Sequence, residues 1–309
     1  MNHELYLTDP GIIKKNGKYY SKDGGKEITN QSIISRLDSY KVPPAWKNVW
    51  YAFNKKCHIQ VHGIDASGKK QYILSNEWIN NSKFEKFNRM KSFIKKLMCF
   101  KNKIKLASTN FIISKDILIK LLFNLLIDTH IRVGNEKYAQ NNKTYGLTTL
   151  RQKHLVLKDN LYYLSFTGKS KINHNIEIPE RYYLFFKNLI TSNKNDPLFY
   201  YSNFKTISSE ELNNYLKEHM GSEYTCKDFR TYSANILFIK AFLKNSKKKE
   251  NIKKVIIKSI DDSANLLGHS RSICKKSYIS ENLINYCTDS FDDAATSCSS
   301  DLLSKVWES

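Results

Sequence analysis

The hydrophobic period of this chain changes near residue 78, and no single-class fold accommodates both parts. Before that point the apolar residues alternate in short runs, "GKYYSKDGGKEIT", "VWYAFNKKCHIQVHGID" and "SGKKQYILS", separated by Gly- and Asp-containing turns. Alternation broken by such turns predicts antiparallel strands. From "NEWINNSKFEKFNRMKSFIKKLMCF" onward the spacing is helical, since apolar residues three and four apart share one helix face. The chain is therefore expected to be α+β, with a small, mostly-β domain over residues 1–78 and a mainly α-helical domain over residues 79–309.

Within the second part, "SKDILIKLLFNLLIDTHIRVGN" places Leu118, Leu121, Leu122 and Leu125 on one stripe, with Ser114 as N-cap and Gly134 past the end. That predicts a buried helix which delivers Arg132 to its C-terminal end. "KHLVLKDNLYYLSFTGKSKINHNIEIP" holds three alternating runs divided by "KDN" and "GKSK". It predicts a small antiparallel sheet with Lys169 at a hairpin tip. In "KDFRTYSANILFIKAFLK" the stripe Ala234, Leu237, Phe238, Ala241, Phe242 predicts another buried helix, with Asp228 as its cap and Arg230 in its first turn.

"LLGHSRSICKKSY" sets His269 and Tyr278 nine residues apart. At about 100° per residue they would face opposite ways on one continuous helix. They can meet only if the chain turns between them. Gly268 can end one helix, and Ser270 or Ser272 can cap the next.

Composition narrows the partner. Fifty Lys and Arg against 29 Asp and Glu leave a formal charge of +21, while 41% of the residues are hydrophobic and only 5 are proline. A globular chain with that excess is expected to meet a polyanion, nucleic acid above all. No run of about 18 apolar residues occurs, and "MNHELYLTDPG" lacks a signal-peptide layout, so a soluble, intracellular protein with no membrane partner is expected. Cys57, Cys99, Cys226, Cys274, Cys287 and Cys298 are scattered without a CxxC pair. They predict free thiols and no structural zinc.

Arg132, Lys169, Arg230 and His269 all fall at helix ends or turns, where side chains can converge on a cleft while the apolar stripes are buried. With Tyr278 they form a set suited to phosphoryl transfer. Guanidinium groups stabilise charge on non-bridging oxygens, a tyrosine can attack phosphorus, and a lysine can protonate a leaving alkoxide. No carboxylate cluster with metal-ligand spacing lies near them, which disfavours a two-metal route. Each residue also has a plainer reading. Arg132 could pair with Asp128 four residues earlier, Arg230 could pair with Asp228, Lys169 could be a turn lysine, His269 a helix C-cap, and Tyr278 a residue at the edge of the core.

The ordered set resembles the type IB DNA topoisomerases, in the small form found in poxviruses, other large DNA viruses and bacteria. "VPPAWKNVW" and "HIQVHGIDASGKKQY" are similar to the N-terminal domain of that family; "HIRVGNEKY", "YGLTTL", "FTGKSK", "KDFRTY" and "LLGHSRSICKKSY" are similar to its successive catalytic segments. The resemblance implies a catalytic domain of the tyrosine recombinase and type IB topoisomerase kind, in which Tyr278 joins the DNA 3′-phosphate and releases a 5′-hydroxyl. It implies that Arg132, Arg230 and His269 contact the non-bridging oxygens and that Lys169 protonates the leaving oxygen, with Arg132 assisting. Supporting roles would fall on Gly134, Lys227 and Asn235, and DNA contacts on Lys70, Gln71, Tyr72, Lys137 and Tyr138.

It also implies strand rotation and religation without ATP or an obligatory metal, and a monomer that clamps double-stranded DNA with its N-terminal domain. The protein would sit with the DNA, in a cytoplasmic replication factory or a virion if the source is viral. Two positions depart from the family pattern: Leu74, where an aromatic residue is frequent, and Ser170, where some relatives carry an acid. A tyrosine site-specific recombinase is the alternative, against which stand Lys227 in place of a histidine and the β-rich N-terminal part. A DNA-binding protein without chemistry is a third reading.

Overall fold

A computed structural model of the chain describes residues 3–106, 112–247, 250–297, 299 and 302, with the side chains of residues 3–5 left aside. Cys298 and two lysines of the basic run "SKKKENIKK", Lys248 and Lys249, lie outside the described residues. The chain divides into two compact units, residues 1–86 and 87–309.

The first unit is built on an antiparallel sheet of strands β1 (Ile12–Lys15), β2 (Lys18–Ser21), β3 (Lys47–Tyr51), β4 (Ile59–Ile64) and β5 (Lys70–Leu74), in the order β2-β1-β3-β4-β5. The β1–β2 hairpin turns on Asn16 and Gly17, both at positive φ (48° and 81°), the backbone that a two-residue hairpin requires. Helix α1 (His3–Thr8) precedes the sheet. Helix α2 (Gln31–Ser39) starts where the Asn30 side chain accepts from the Ser32 and Ile33 amides and buries Leu37 with Ile12, Tyr19, Tyr51 and Val61. Strand β1 and helix α2 were not among the sequence expectations. The helix presents one fully buried residue, too little for an apolar stripe to be visible.

The second unit is mainly helical. Helix α3 (Asn76–Lys103) crosses the division at residue 86, and its later turns bury Phe93, Leu97 and Phe100. Helix α4 (Lys115–Thr129) is capped by the Ser114 side chain at its start and ends at His130, which takes the left-handed conformation. Helix α5 (Glu136–Asn142) follows, and then the sheet β6 (Leu155–Lys158), β7 (Leu161–Thr167), β8 (Asn173–Glu177), in sequence order and antiparallel. Asp159 and Asn160 make the first hairpin turn with φ of 50° and 61°.

Helices α6 (Tyr183–Leu189), α7 (Ser209–Met220), α8 (Cys226–Ser246), α9 (Ile252–Leu267), α10 (Arg271–Ser277), α11 (Glu281–Asp289) and α12 (Phe291–Thr296) complete the unit. Edge-to-face rings tie α3, α4 and α8 together: Phe100 meets Phe123 at 5.0 Å between centroids, and Phe93 meets Phe229 at 5.1 Å. Each such pair adds about 0.5–1.5 kcal/mol beyond burial. Between α8 and α9, Asn245 donates to Ser259 and Asp262.

The cap of α8 differs from expectation. Thr225 is the N-cap, and Asp228 closes a capping box from the third helical position by accepting from the Thr225 amide at 2.8 Å. Arg230 therefore stands in the second turn. Thr225-x-x-Asp228 is itself a capping-box spacing, so the signal for a start three residues earlier lies in the sequence, in competition with Asp228 as the acid nearest the apolar stripe. None of the five described cysteines is in a disulfide, and no described helix is long and apolar enough to cross a membrane.

Candidate active site

Three chain reversals in the second unit bring basic side chains to one cleft. Among the described residues its lining includes Arg132, Lys169, Arg230, His174 and Tyr145, and no aspartate or glutamate. Arg132 lies two residues past the left-handed His130 that ends α4. Its backbone is held by a second turn, with the Leu147 amide donating to the Arg132 carbonyl at 2.8 Å. Gly134 belongs to this contact: its φ is +106°, and a Cβ there would fall 3.0 Å from Gly146 and Thr149. Asp128 is not the partner of Arg132. It accepts instead from Arg181 and Tyr182, so among the described residues no carboxylate pairs with Arg132.

Arg230 is 8% exposed. Its guanidinium donates to the backbone carbonyls of His130 and Leu267, so one side chain ties the end of α4 to the end of α9. Asp228 does not neutralise it, being paired with Arg89 at 3.1 Å. Burial, and next the Arg132 charge, lowers the Arg230 guanidinium to about 9. It stays protonated at neutral pH, in a place where a positive charge is costly.

His269 receives both arginines. Its Nε2 lies 2.7 Å from the nearest Arg132 nitrogen and 3.2 Å from that of Arg230. A guanidinium only donates, so Nε2 is the acceptor, the ring is neutral, and the proton sits on Nδ1, a buried atom without a partner. Burial and the Arg230, Arg132 and Lys169 charges push this histidine down to about 3. Two guanidiniums thus converge on one lone pair beside a cleft that no described aspartate or glutamate lines, the arrangement that an anionic oxygen satisfies better than an imidazole.

The break between His269 and Tyr278 is present. Gly268 ends α9 in the left-handed conformation with φ of 59°, and the Ser270 side chain caps α10 by accepting from the Ile273 amide. The two rings then stack, 4.5 Å between centroids and 19° apart. Arg271 anchors the turn through paired bonds of 2.5 Å to Asp261 on α9.

Asn235, 1% exposed on α8, fixes the backbone around the tyrosine. It donates to the Tyr278 carbonyl at 2.9 Å and accepts from the Ser280 amide at 2.8 Å. Lys169 enters from the β7–β8 hairpin, exposed at the tip, with Ser170 and Lys171 in left-handed conformations.

Of the thirteen positions singled out in the sequence, Arg132, Lys169 and Arg230 line the cleft, His269 adjoins it through both arginines and Tyr278 through its stack on His269, and Asn235 and Gly134 support it through backbone contacts. Lys227 is exposed on the first turn of α8, and Lys137 and Tyr138 are exposed on α5; none of the three lines the cleft. Lys70, Gln71 and Tyr72 lie on β5 at the edge of the other unit's sheet. Lys70 stands over the exposed Tyr72 ring, and Gln71 donates to Asp65 at 2.6 Å. Sequence reasoning missed His130, whose carbonyl accepts from Arg230, and His174; both lie next to a residue or turn that it did single out. Among the described residues no group of three or more metal-ligating side chains is placed to hold an ion.

Comparison with known families decides between the readings. A family model described as eukaryotic DNA topoisomerase I, catalytic core, matches residues 75–298, and one described as bacterial DNA topoisomerase IB, N-terminal domain, matches residues 17–65. The chain belongs to the type IB DNA topoisomerases. It is an isomerase of that family, similar to DNA topoisomerase 1B of Acanthamoeba polyphaga mimivirus, at 34% identity over 89% of this chain and 87% of the relative. DNA topoisomerase 1B of vaccinia virus (strain Western Reserve) is 28% identical over 74% of this chain and 72% of the relative. Among solved structures, the XerH site-specific recombinase bound to its difH substrate before cleavage aligns with a TM-score of 0.36 and 16% identity, over 75% of this chain and 58% of the recombinase.

Proposed function

We propose that this type IB topoisomerase relaxes supercoiled double-stranded DNA through a 3′-phosphotyrosyl intermediate, with Tyr278 as nucleophile. The observation that carries the site assignment is the convergence of the Arg132 and Arg230 guanidiniums, with no carboxylate among the described residues lining the cleft, beside a histidine stacked on Tyr278. A DNA phosphate entering there takes over the hydrogen bonds now given to His269 Nε2. With Nε2 released, the imidazole proton can move to that atom and be donated to a phosphate oxygen.

The Tyr278 hydroxyl loses its proton to water and its oxygen bonds to phosphorus, while the bond from phosphorus to the 5′ oxygen breaks. Lys169 gives that oxygen a proton, leaving a 5′-hydroxyl. The charge that builds on the non-bridging oxygens meets donors already in place, which is the most effective form of transition-state stabilisation. Reversal rejoins the strand after rotation, and the phosphotyrosyl bond conserves the energy of the broken linkage, so the reading needs neither ATP nor a metal.

The N-terminal unit, proposed as a clamp with Lys70, Gln71 and Tyr72 against the duplex, works with Lys137 and Tyr138 on the catalytic unit, and Lys227 is proposed to support the catalytic site. The protein is taken to act as a monomer, in the company of the DNA. The +21 charge supports a polyanionic partner. The test is plasmid relaxation in EDTA without nucleotide. Positive and negative supercoils should both relax, and a requirement for magnesium or ATP would overturn the mechanism.

A further inference from the structure

His174 was in none of the sets read from the sequence, and it lies on β8 three residues after the turn that carries Lys169. Its ring stacks on Phe166 of β7, 5.0 Å between centroids and 22° apart. The far edge of the ring is closed in by two glycine backbones. A Cβ on Gly168 would fall 2.7 Å from His174 Cδ2 and Nε2, and a Cβ on Gly268 would fall 2.7 Å from Cε1 and 3.2 Å from Nε2. Real side chains do not approach so closely, so the ring occupies space that any other residue at either position would contest.

Those glycines have particular neighbours. Gly168 immediately precedes Lys169, and Gly268 immediately precedes His269. Elsewhere the two residues are held by unrelated parts of the chain, the hairpin by its own strand pairing and His269 by the end of α9. One flat ring, backed by Phe166, therefore touches the backbone on the donor side and on the phosphate side of the cleft.

We propose that His174 is a positioning residue that sets the Lys169 hairpin against the His269 turn and so fixes where the proton donor stands relative to the bound phosphate. This rests on the reading of Lys169 as the general acid. The ring acts by shape, as a spacer between two backbones. Burial favours its neutral form, so its loss removes no charge from the cleft. A displacement of about 1 Å at a reacting group can cost on the order of a hundredfold in rate, and the cost should fall on the protonation step alone.

That selectivity supplies the test. Single-turnover cleavage is measured on duplexes with the ordinary 5′ oxygen and with a bridging 5′ sulfur, whose thiolate leaves without a proton. His174→Ala should slow the oxygen substrate on the order of tenfold to a hundredfold and bring the sulfur substrate back to within a fewfold of the unmodified protein. Lys169→Ala serves as the reference and should show the same rescue. Gly168→Ala is the second variant. Its φ of −95° accepts a methyl group, so its only conflict is the His174 ring; it should slow the oxygen substrate in the parent and add nothing to His174→Ala.

If Lys169→Ala is rescued by sulfur and His174→Ala is slowed equally on both substrates, the positioning role is wrong while the acid assignment stands. If Lys169→Ala is not rescued, the acid assignment fails and this proposal with it. An equal cost of Gly168→Ala with and without His174 would also overturn it.

Discussion

Arg230 and Lys169 line the same cleft and are held in opposite ways. Arg230 is 8% exposed, with its guanidinium spent on the carbonyls of His130 and Leu267 and on His269. Lys169 stands exposed on a three-residue turn whose next two residues, Ser170 and Lys171, have φ of 63° and 59°. The first arrangement fixes a charge in advance at the expense of burying it. The second leaves a proton donor on an edge that takes its position from its neighbours. The difference follows the chemistry: stabilising a developing charge rewards donors that need no rearrangement, whereas a general acid has only to reach the leaving oxygen as the bond breaks.

The contrast can be broken most directly at Arg230. Arg230→Ala should slow cleavage by on the order of 10²–10³-fold, as for loss of one charge-stabilising donor, and a 5′ sulfur leaving group should not restore it. Arg230→Lys should remain poor, because an ammonium cannot span two carbonyls and a phosphate as a planar fork does. Single-turnover rates on the two substrates check this, and rescue by sulfur would make the two sides of the cleft chemically alike.

A smaller effect is expected at Asn235. Asn235→Ala leaves the buried Ser280 amide and the Tyr278 carbonyl without their partner, at about 1–3 kcal/mol for each unsatisfied group. It should lower the unfolding midpoint and slow cleavage less than Arg230→Ala does. A denaturant melt alongside the cleavage rate checks both. An unchanged melt would mean that the backbone at Tyr278 holds itself.

A separate effect, on stability and not on the cleavage step, is its dependence on pH. Burial pushes His130 and His154 down to about 4 and His269 to about 3, from an ordinary value near 6.5. Above pH 6.5 these rings are neutral in folded and unfolded chains alike, and their contribution is fully present. As the pH falls toward 4 the unfolded chain binds protons that the folded one does not, so stability is lost over that window. The unfolding midpoint should therefore drop between pH 7.5 and pH 4.5, and a flat profile would mean that these three sites tolerate a charged histidine.

What the sequence made legible was local. The helix break was readable because Gly268 and Ser270 sit side by side with opposite preferences, one for ending a helix and one for starting it. The β6–β8 sheet was readable because "KDN" and "GKSK" punctuate three alternating runs, and the Ser114 cap because an apolar stripe follows it. Pairings between distant segments were not readable. Asp128 lies four residues before Arg132, yet it pairs with Arg181 and Tyr182, more than fifty residues away. Asp228 turns to Arg89, 139 residues earlier, and not to nearby Arg230. His174 reads as one residue of an alternating strand. Its relation to Gly168 and Gly268 exists only once α9 is packed beside the hairpin.

The central claim is that the phenol at the end of α10 becomes joined to DNA. The direct measurement traps the adduct by denaturation during cleavage in EDTA, digests it with protease and nuclease, and maps the nucleotide-bearing peptide by mass. The account predicts a single modified residue, Tyr278, linked to a DNA 3′-phosphate, with a free 5′-hydroxyl on the other strand end. A modified residue other than Tyr278, or a 5′-phosphate linkage, would contradict it.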